Sequence, residues 1–417
     1  MAEETQRTVR RSISGLSVTE RVHDVPLDHF DPAGERIEVF SREIADPDHM
    51  DRPLLVYFEG GPGYESPRPS RTTKSPAWID RALKDFRVLL LDQRGTGRST
   101  PIGPSFADSA QEQADYLANF RADSIVADAE LIRTELDVER WSLLGQSFGG
   151  FCSVRYLSCA PESLREVLIT GGLPPLGAAI DDVYRETYAS MRTRSERFYA
   201  RYPDDRERMG RLVERLRERP LQTPDGESLG PDRLRGLGHV LGMADGAEVL
   251  HYLLELDPNS QAFLHDAMAL TPFSRNPIYA VLHEACWADG GSTRWAAERM
   301  LAELGEWAPE HFTGEHVLPW VFEDLSALAP LRDAAELIAT REWPALYDAS
   351  RLEANEVPVA ALVYAEDVYV PRRFSEETAA RVRGLRPWLT NEYDHDGLVR
   401  DSDRVLGRLL DLARDRI

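Results

Sequence analysis

Residues 141–151 read WSLLGQSFGGF, a short apolar run that stops at a cluster of glycines around one serine. The run is too short and too uniformly apolar for a surface helix, and it fits a strand buried on both faces. Gly145, Gln146, Ser147, Phe148 and Gly149 form the pattern G-x-S-x-G. Composition alone yields that pattern about 0.1 times in a chain of this length, so the pattern by itself is suggestive. Its position between a strand signal and a helix signal is the context that a nucleophile elbow requires. The turn is so tight that Cβ atoms at the flanking glycines would clash with neighbouring elements. It lifts the serine hydroxyl above the sheet at a helix N-terminus, where free N–H groups and the helix dipole favour developing negative charge. The competing reading is a Gly/Ser-rich turn with no chemistry.

The same strand signal recurs on either side. PLLVYFEGGPG (53–63), FRVLLLDQRGTG (86–97) and REVLITGG (165–172) are apolar runs ending in glycine-rich turns, and SIVADAELIRTEL (124–136) has helical spacing. This alternation implies an α/β fold with a mostly parallel sheet flanked by helices, and with the elbow it predicts an α/β-hydrolase fold. Upstream, residues 1–12 read as a loose tail, and 18–28 and 35–45, separated by DPAGE, as a β-hairpin. From about 175 to 350 the chain turns charged and rich in Glu, Arg, Leu and Ala, as in RERMGRLVERLRER (206–219) and WAAERMLAELGEW (295–307). VPVAALVYAED (357–367) restores the strand signal, SEETAARVRGL (375–385) is amphipathic, WLTNEY (388–393) reads as a last strand and 400–417 as a closing helix. The expected organisation is a hydrolase core over 1–174 and 351–417, split by a mainly helical cap over 175–350. An insertion of that size needs its own core.

The formal net charge of −22 argues against nucleic-acid or anionic-membrane partners. The polar N-terminus MAEETQRTVRRS lacks the apolar core of a signal peptide, and no apolar run approaches the roughly 20 residues of a membrane span. The three cysteines, Cys152, Cys159 and Cys286, form no disulfide framework and no metal-ligand spacing. A cytoplasmic location is expected; oligomeric state is not readable.

A serine hydroxyl needs a base, and this fold orders its triad Ser, acid, His. One histidine lies beyond His316: His395, in NEYDHDGL after the last predicted strand. The acid should end the preceding strand, where Asp367 stands with Glu366 as its rival. Asp394 and Asp396 flank His395 but reach its Nδ1 poorly. For the oxyanion hole, one donor should be the amide of Phe148, and the other should come from Glu59-Gly60-Gly61-Pro62-Gly63, with Gly61 favoured over Gly60. Asp92-Gln93-Arg94-Gly95-Thr96-Gly97-Arg98-Ser99 lacks the phosphate-loop spacing, and reads as a structural, ion-paired turn beneath the site. Cys152, five residues past Ser147, is either a small core residue or a target through which thiol reagents inhibit.

The residues alone stop at a serine hydrolase with a helical cap. GGPG, DQRGTGRS, GQSFGG and a late Asp and His-Asp-Gly-Leu resemble the proline iminopeptidase family of α/β-hydrolases. FEGGPGYESPRP, VLLLDQRGTGRSTP, LLGQSFGGF and NPIYAVLHE resemble its longer members. The likeness spans about 53–104, 141–175, parts of 276–323, and 357–400; Glu59 stands where short members carry His. The resemblance implies release of an N-terminal proline from peptides with a free N-terminus, without metal or organic cofactor. It further implies cap carboxylates that hold the α-amine in a partly desolvated pocket. Glu284 and Glu323 are the first candidates and Glu315 the third, with Trp320 and Phe322 forming an apolar slot for the pyrrolidine ring; the competing reading makes these residues solvated surface or cap core. Other capped serine hydrolases, such as an esterase or amidase, and a non-catalytic binding protein on this fold remain the alternative readings. Epoxide hydrolase and dehalogenase chemistry needs Asp at the elbow, where this chain has Ser147.

Overall fold

The computed structural model describes residues 8–70, 75–103, 106–271, 273–305 and 307–417. Nine strands build the main sheet: β1 (Thr8–Ile13), β2 (Leu16–Pro26), β3 (Arg36–Ala45), β4 (Leu54–Phe58), β5 (Arg87–Asp92), β6 (Trp141–Gln146), β7 (Leu164–Thr170), β10 (Val359–Tyr364) and β11 (Leu385–Thr390). Their spatial order is β1-β2-β3-β5-β4-β6-β7-β10-β11. β1 to β3 and the β3–β5 pair are antiparallel, and every pair from β5 to β11 is parallel.

The apolar runs become central strands because both their faces are covered. Val56, Phe58, Leu89, Leu91, Leu143 and Val167 face one buried layer, packed with α2 (Ala122–Glu135) and α3 (Phe148–Cys159). The alternate residues Leu55, Tyr57, Val88, Leu90, Leu144 and Leu168 face the other. There Trp78 and Ile79 of α1 (Ala77–Ala82) meet Val405, Leu406, Leu409 and Leu410 of α7 (Ser402–Ala413). Each such side chain contributes about 1.5–3 kcal/mol by leaving water, and the two-residue period assigns it to its layer.

Two boundaries differ from the sequence reading. Residues 8–12 belong to β1, which pairs with β2 from Thr8↔Arg21 to Ile13↔Leu16; residues 1–7 lie outside the described residues. All six β1 side chains are exposed, so this edge strand is held by backbone pairing and carries no apolar alternation. The last strand runs Leu385–Thr390, not 388–393, with Pro387 paired against Ala361. β11 is an edge strand, where a proline's missing N–H is tolerated.

Between β7 and β10 the described residues form helices and irregular loops, with an antiparallel ribbon of β8 (Leu221–Gln222) and β9 (Ser228–Leu229). Three of its helices matter below: α4 (Ile180–Arg201), α5 (Pro277–Trp287) and α6 (Ala296–Glu303). Among the described residues no helix is long and apolar enough to cross a membrane.

Candidate active site

Ser147 sits at the junction of β6 and α3 with φ 54° and ψ −123°, a backbone state sparsely populated by side-chain-bearing residues and held by its surroundings. Its amide donates to Thr170 O (2.9 Å), and its carbonyl accepts from Gly150 N (2.7 Å). The glycines are dictated by close approach. A Cβ on Gly149 would stand 2.0 Å from Phe58 O, and one on Gly145 would stand 2.4 Å from Gly149 O. The turn therefore wedges between β4 and its own helix. Phe148 opens α3, so its amide is among the N–H groups that a helix start leaves without an intrahelical partner.

Asp367 and His395 follow β10 and β11. His395 Nδ1 donates to Asp367 Oδ2 at 2.8 Å, with both side chains buried. The other carboxylate oxygen accepts from Tyr369 N (2.9 Å) and Val370 N (3.2 Å). This bond fixes the tautomer and leaves Nε2 as the basic nitrogen. Burial opposes charge on the ring, but the carboxylates of Asp367, Glu315 and Asp396 outweigh it and hold the His395 pKa above its ordinary value. The neighbouring acids point elsewhere. Glu366 is half-exposed and paired with Arg197, Asp394 is paired with Arg194, and Asp396 with Arg400.

Ser147 and His395 share a cavity of about 280 Å³ with Gly60, Gly61 and Glu59. The Gly60 amide is occupied, donating to Glu59 Oε1 at 2.9 Å, and Tyr57 Oη donates to the same oxygen at 3.1 Å. Gly61 is then the loop residue whose amide is not committed to Glu59. Burial pushes the Glu59 carboxyl up against the pull of those two donors. From below, Gln93 Nε2 donates to Glu59 O (3.1 Å). The rest of the Asp92–Ser99 turn is ion-paired. Arg68 forks onto Asp92 (2.9 and 3.0 Å), and buried Arg94 forks onto Asp128 (2.5 and 2.7 Å). Cys152 is fully buried in α3, and burial pushes its thiol well up, so it is a core side chain with little thiolate for a reagent to attack.

Of the three cap carboxylates, Glu315 lines the cavity. Tyr279 Oη donates to Glu315 Oε2 at 2.7 Å, and His283 Nε2 lies 3.6 Å from Oε1. Burial raises the Glu315 pKa, yet His283, Tyr279 and His395 more than reverse this and hold it below the usual carboxylate range. These neighbours favour its charged form in the cavity that it shares with Ser147 and His395.

Glu284 and Glu323, the first candidates from sequence, stand outside this cavity. On α5, Tyr279 and His283 are four residues apart and share a face; Glu284 lies about 100° further round. Its carboxylate accepts from Ala296 N (3.1 Å) and Ala297 N (2.8 Å), capping α6 inside the protein. Glu323 is half-exposed and paired with Arg332 at 3.3 Å. Trp320 is buried behind the cavity wall, edge-on to Phe273 with ring centroids 6.0 Å apart, and Phe322 packs on Trp295. The aromatic lining is instead Tyr64, Phe273 and Tyr279, with Tyr279 5.8 Å from Tyr64 and 5.7 Å from Phe273. Tyr369, His239, Met243 and Gln146 also line the cavity. Tyr279 was within reach of the sequence, since its four-residue spacing from His283 was readable; Tyr64, Phe273, Tyr369 and His239 carried no signal.

Residues 53–225 match the family model described as alpha/beta hydrolase fold. The chain is 45% identical to a proline iminopeptidase of Aeromonas sobria, with 97% of this chain and 98% of the relative covered. It is 33% identical to the proline iminopeptidase aneH of Aspergillus aculeatus, covering 94% of this chain and 93% of that one. Among solved structures, that of a Mycobacterium smegmatis proline iminopeptidase is 15% identical, with TM-score 0.47 over 94% of this chain and 98% of that one. With a relative this similar along nearly its whole length, the chain belongs to the proline iminopeptidase family of α/β-hydrolases.

Proposed function

We propose that this protein is a serine aminopeptidase that releases proline, or a similarly small residue, from the free N-terminus of peptides through an acyl-enzyme. The observation that carries the reading is a partly buried carboxylate, Glu315, in the same cavity as Ser147 and His395, with neighbours that favour its charged form. A carboxylate there pairs with a cationic α-amine one residue-length from the attacked carbonyl. A blocked N-terminus would leave that charge unpaired and be rejected. Tyr64, Phe273 and Tyr279 form an apolar slot suited to a pyrrolidine ring. The family relatives are themselves proline iminopeptidases by name.

In the proposed reaction His395, oriented by Asp367, takes the proton of Ser147, whose oxygen attacks the prolyl carbonyl. The amides of Gly61 and Phe148 receive the oxyanion. His395 then protonates the departing amine, and water, deprotonated by the same imidazole, hydrolyses the prolyl ester. The helical cap over 175–350 is the part that selects the substrate, and the core over 1–174 and 351–417 the part that performs the chemistry. Three free cysteines suit a reducing compartment, and we place the protein in the cytoplasm.

The test sets prolyl, alanyl and N-blocked prolyl 4-nitroanilides, with a p-nitrophenyl ester, against the wild type and Ser147→Ala. Release from free prolyl anilide, lost with the block and with Ser147→Ala, is expected. Ester cleavage without aminopeptidase activity would sink the reading and leave an esterase.

A further inference from the structure

The acid and the base stand on two separate loops, the ends of β10 and β11, and both loops are gripped from outside the core. Arg194, on α4 of the cap, is mostly buried. Its Nη2 donates to Asp394 Oδ1 at 2.6 Å and to Glu366 O at 3.1 Å. Those are the residues immediately before His395 and immediately before Asp367. Arg197, one turn further along α4, pairs with the Glu366 carboxylate. A second cap segment holds the same loops: His395 N donates to Gly242 O (3.0 Å), Ala244 N to Asp396 Oδ2 (3.4 Å), and Tyr369 Oη to His239 O.

We infer that Arg194 is a positioning residue that sets the separation of Asp367 and His395 from the cap, so that docking of the cap and assembly of the triad are one event. The inference rests on the assignment of Asp367 and His395 as acid and base. The physical reason is geometric. A single guanidinium bonded to both loops fixes their spacing, whereas the Asp367–His395 bond alone leaves each loop free to drift along its strand end. Small misplacements of catalytic groups cost rate steeply, about 100-fold for 1 Å.

The experiment compares Arg194→Met, Arg194→Lys, Asp394→Ala and the Arg194→Met/Asp394→Ala double variant, with Arg185→Met as the control for a cap-internal surface pair (Arg185 with Glu303). Three quantities are read: kcat and KM for prolyl 4-nitroanilide, the rate of Ser147 modification by a fluorophosphonate, and the acid limb of the pH–rate profile, all corrected for folded fraction. Arg194→Met should lower kcat and the fluorophosphonate rate by about 10- to 100-fold with KM within threefold. The double variant should be no worse than either single one, and Arg194→Lys, which keeps donors and charge, should recover most of the loss. The acid limb carries a sign that separates positioning from charge. His395 is bonded to the Asp367 carboxylate, lies in the field of the Glu315 and Asp396 carboxylates and packs against the rings of Tyr364 and Tyr369. Loosening the Asp367 contact lowers the limb, whereas mere loss of a nearby cation raises it. A limb that stays or rises, or rates within threefold of wild type, would overturn the inference. If Arg194→Met does not fold, Asp394→Ala cuts the same link from the core side and is judged on kcat and the fluorophosphonate rate alone, because losing that carboxylate lowers the limb by charge whatever happens to position. A wild type that reacts with the fluorophosphonate but ignores prolyl anilide would remove the peptidase reading, and the fluorophosphonate rates would still decide the role of Arg194.

Discussion

Glu315→Gln isolates the charge that the cavity offers to a substrate amine. Glutamine keeps the shape and still accepts from Tyr279 Oη, which donates to this side chain at 2.7 Å; what is lost is the negative charge. In the wild type that charge survives burial because His283 and Tyr279 stabilise it, so it is present before substrate arrives. Removing one partner of a buried, hydrogen-bonded charge pair costs about 2–5 kcal/mol. Taking about 3 kcal/mol, kcat/KM for prolyl 4-nitroanilide should fall by roughly 150-fold. The loss belongs to the amine, so hydrolysis of p-nitrophenyl acetate, which has none, should stay within about threefold, as should Ser147 labelling by a fluorophosphonate. Steady-state kinetics on the two substrates, side by side, give the ratio directly. Equal losses on anilide and ester would mean that Glu315 acts through His395, whose pKa it helps to raise, and not through the substrate. Unchanged anilide turnover would refute an amine anchor at this position altogether.

The other two carboxylates predict the opposite pattern. Glu284→Ala strands two buried amides, those of Ala296 and Ala297, and should destabilise the fold by about 2–4 kcal/mol, read as a lower Tm, with KM unchanged in the folded fraction. Glu323→Ala breaks an exposed pair and should change stability by less than about 1 kcal/mol and kinetics not at all. The pH profile of kcat/KM should be a bell. His395 must be neutral to accept a proton, and its pKa is raised, so activity should rise with a midpoint above about 6.5, with the fall on the alkaline side set by the substrate α-amine near about 8. A midpoint below 6.5 would contradict the carboxylate environment described. Gly149→Ala, with its Cβ 2.0 Å from Phe58 O, should yield insoluble or inactive protein; a folded, active variant would mean that the elbow packs differently.

How much of this was legible depended on how local the determinant is. The elbow at Ser147 and the buried strands β4 to β7 were readable because tight turns and two-sided burial force residue types at fixed spacing. Asp367 and His395 were singled out by chain order, since strand ends and a lone late histidine restrict the choice, and the structure bonds the two side chains to each other. β1 was hidden because backbone pairing with all side chains exposed leaves no pattern. The positions of the cap carboxylates were hidden for a similar reason. Glu284 and Glu315 are both glutamates in apolar stretches of sequence, and what separates them is the neighbour each carboxylate meets, the start of α6 for one and the cavity for the other. The one local clue was the helical face shared by Tyr279 and His283, which excludes Glu284 by rotation. Nothing in the sequence separates Gly60 from Gly61; in the structure the Gly60 amide donates to Glu59.

The pairing of β7 with β10, from Val167↔Val359 to Thr170↔Leu362, joins segments 192 residues apart. During synthesis at about 5–20 residues per second, β7 waits roughly 10–40 seconds with an apolar, unpaired edge before its neighbour emerges. Such an edge is a template for pairing with other chains. Heterologous yield should therefore depend on translation speed and holdase supply more than on the stability of the finished enzyme. Until β10 and β11 dock, Ser147 stands without Asp367 and His395, which follow those two strands.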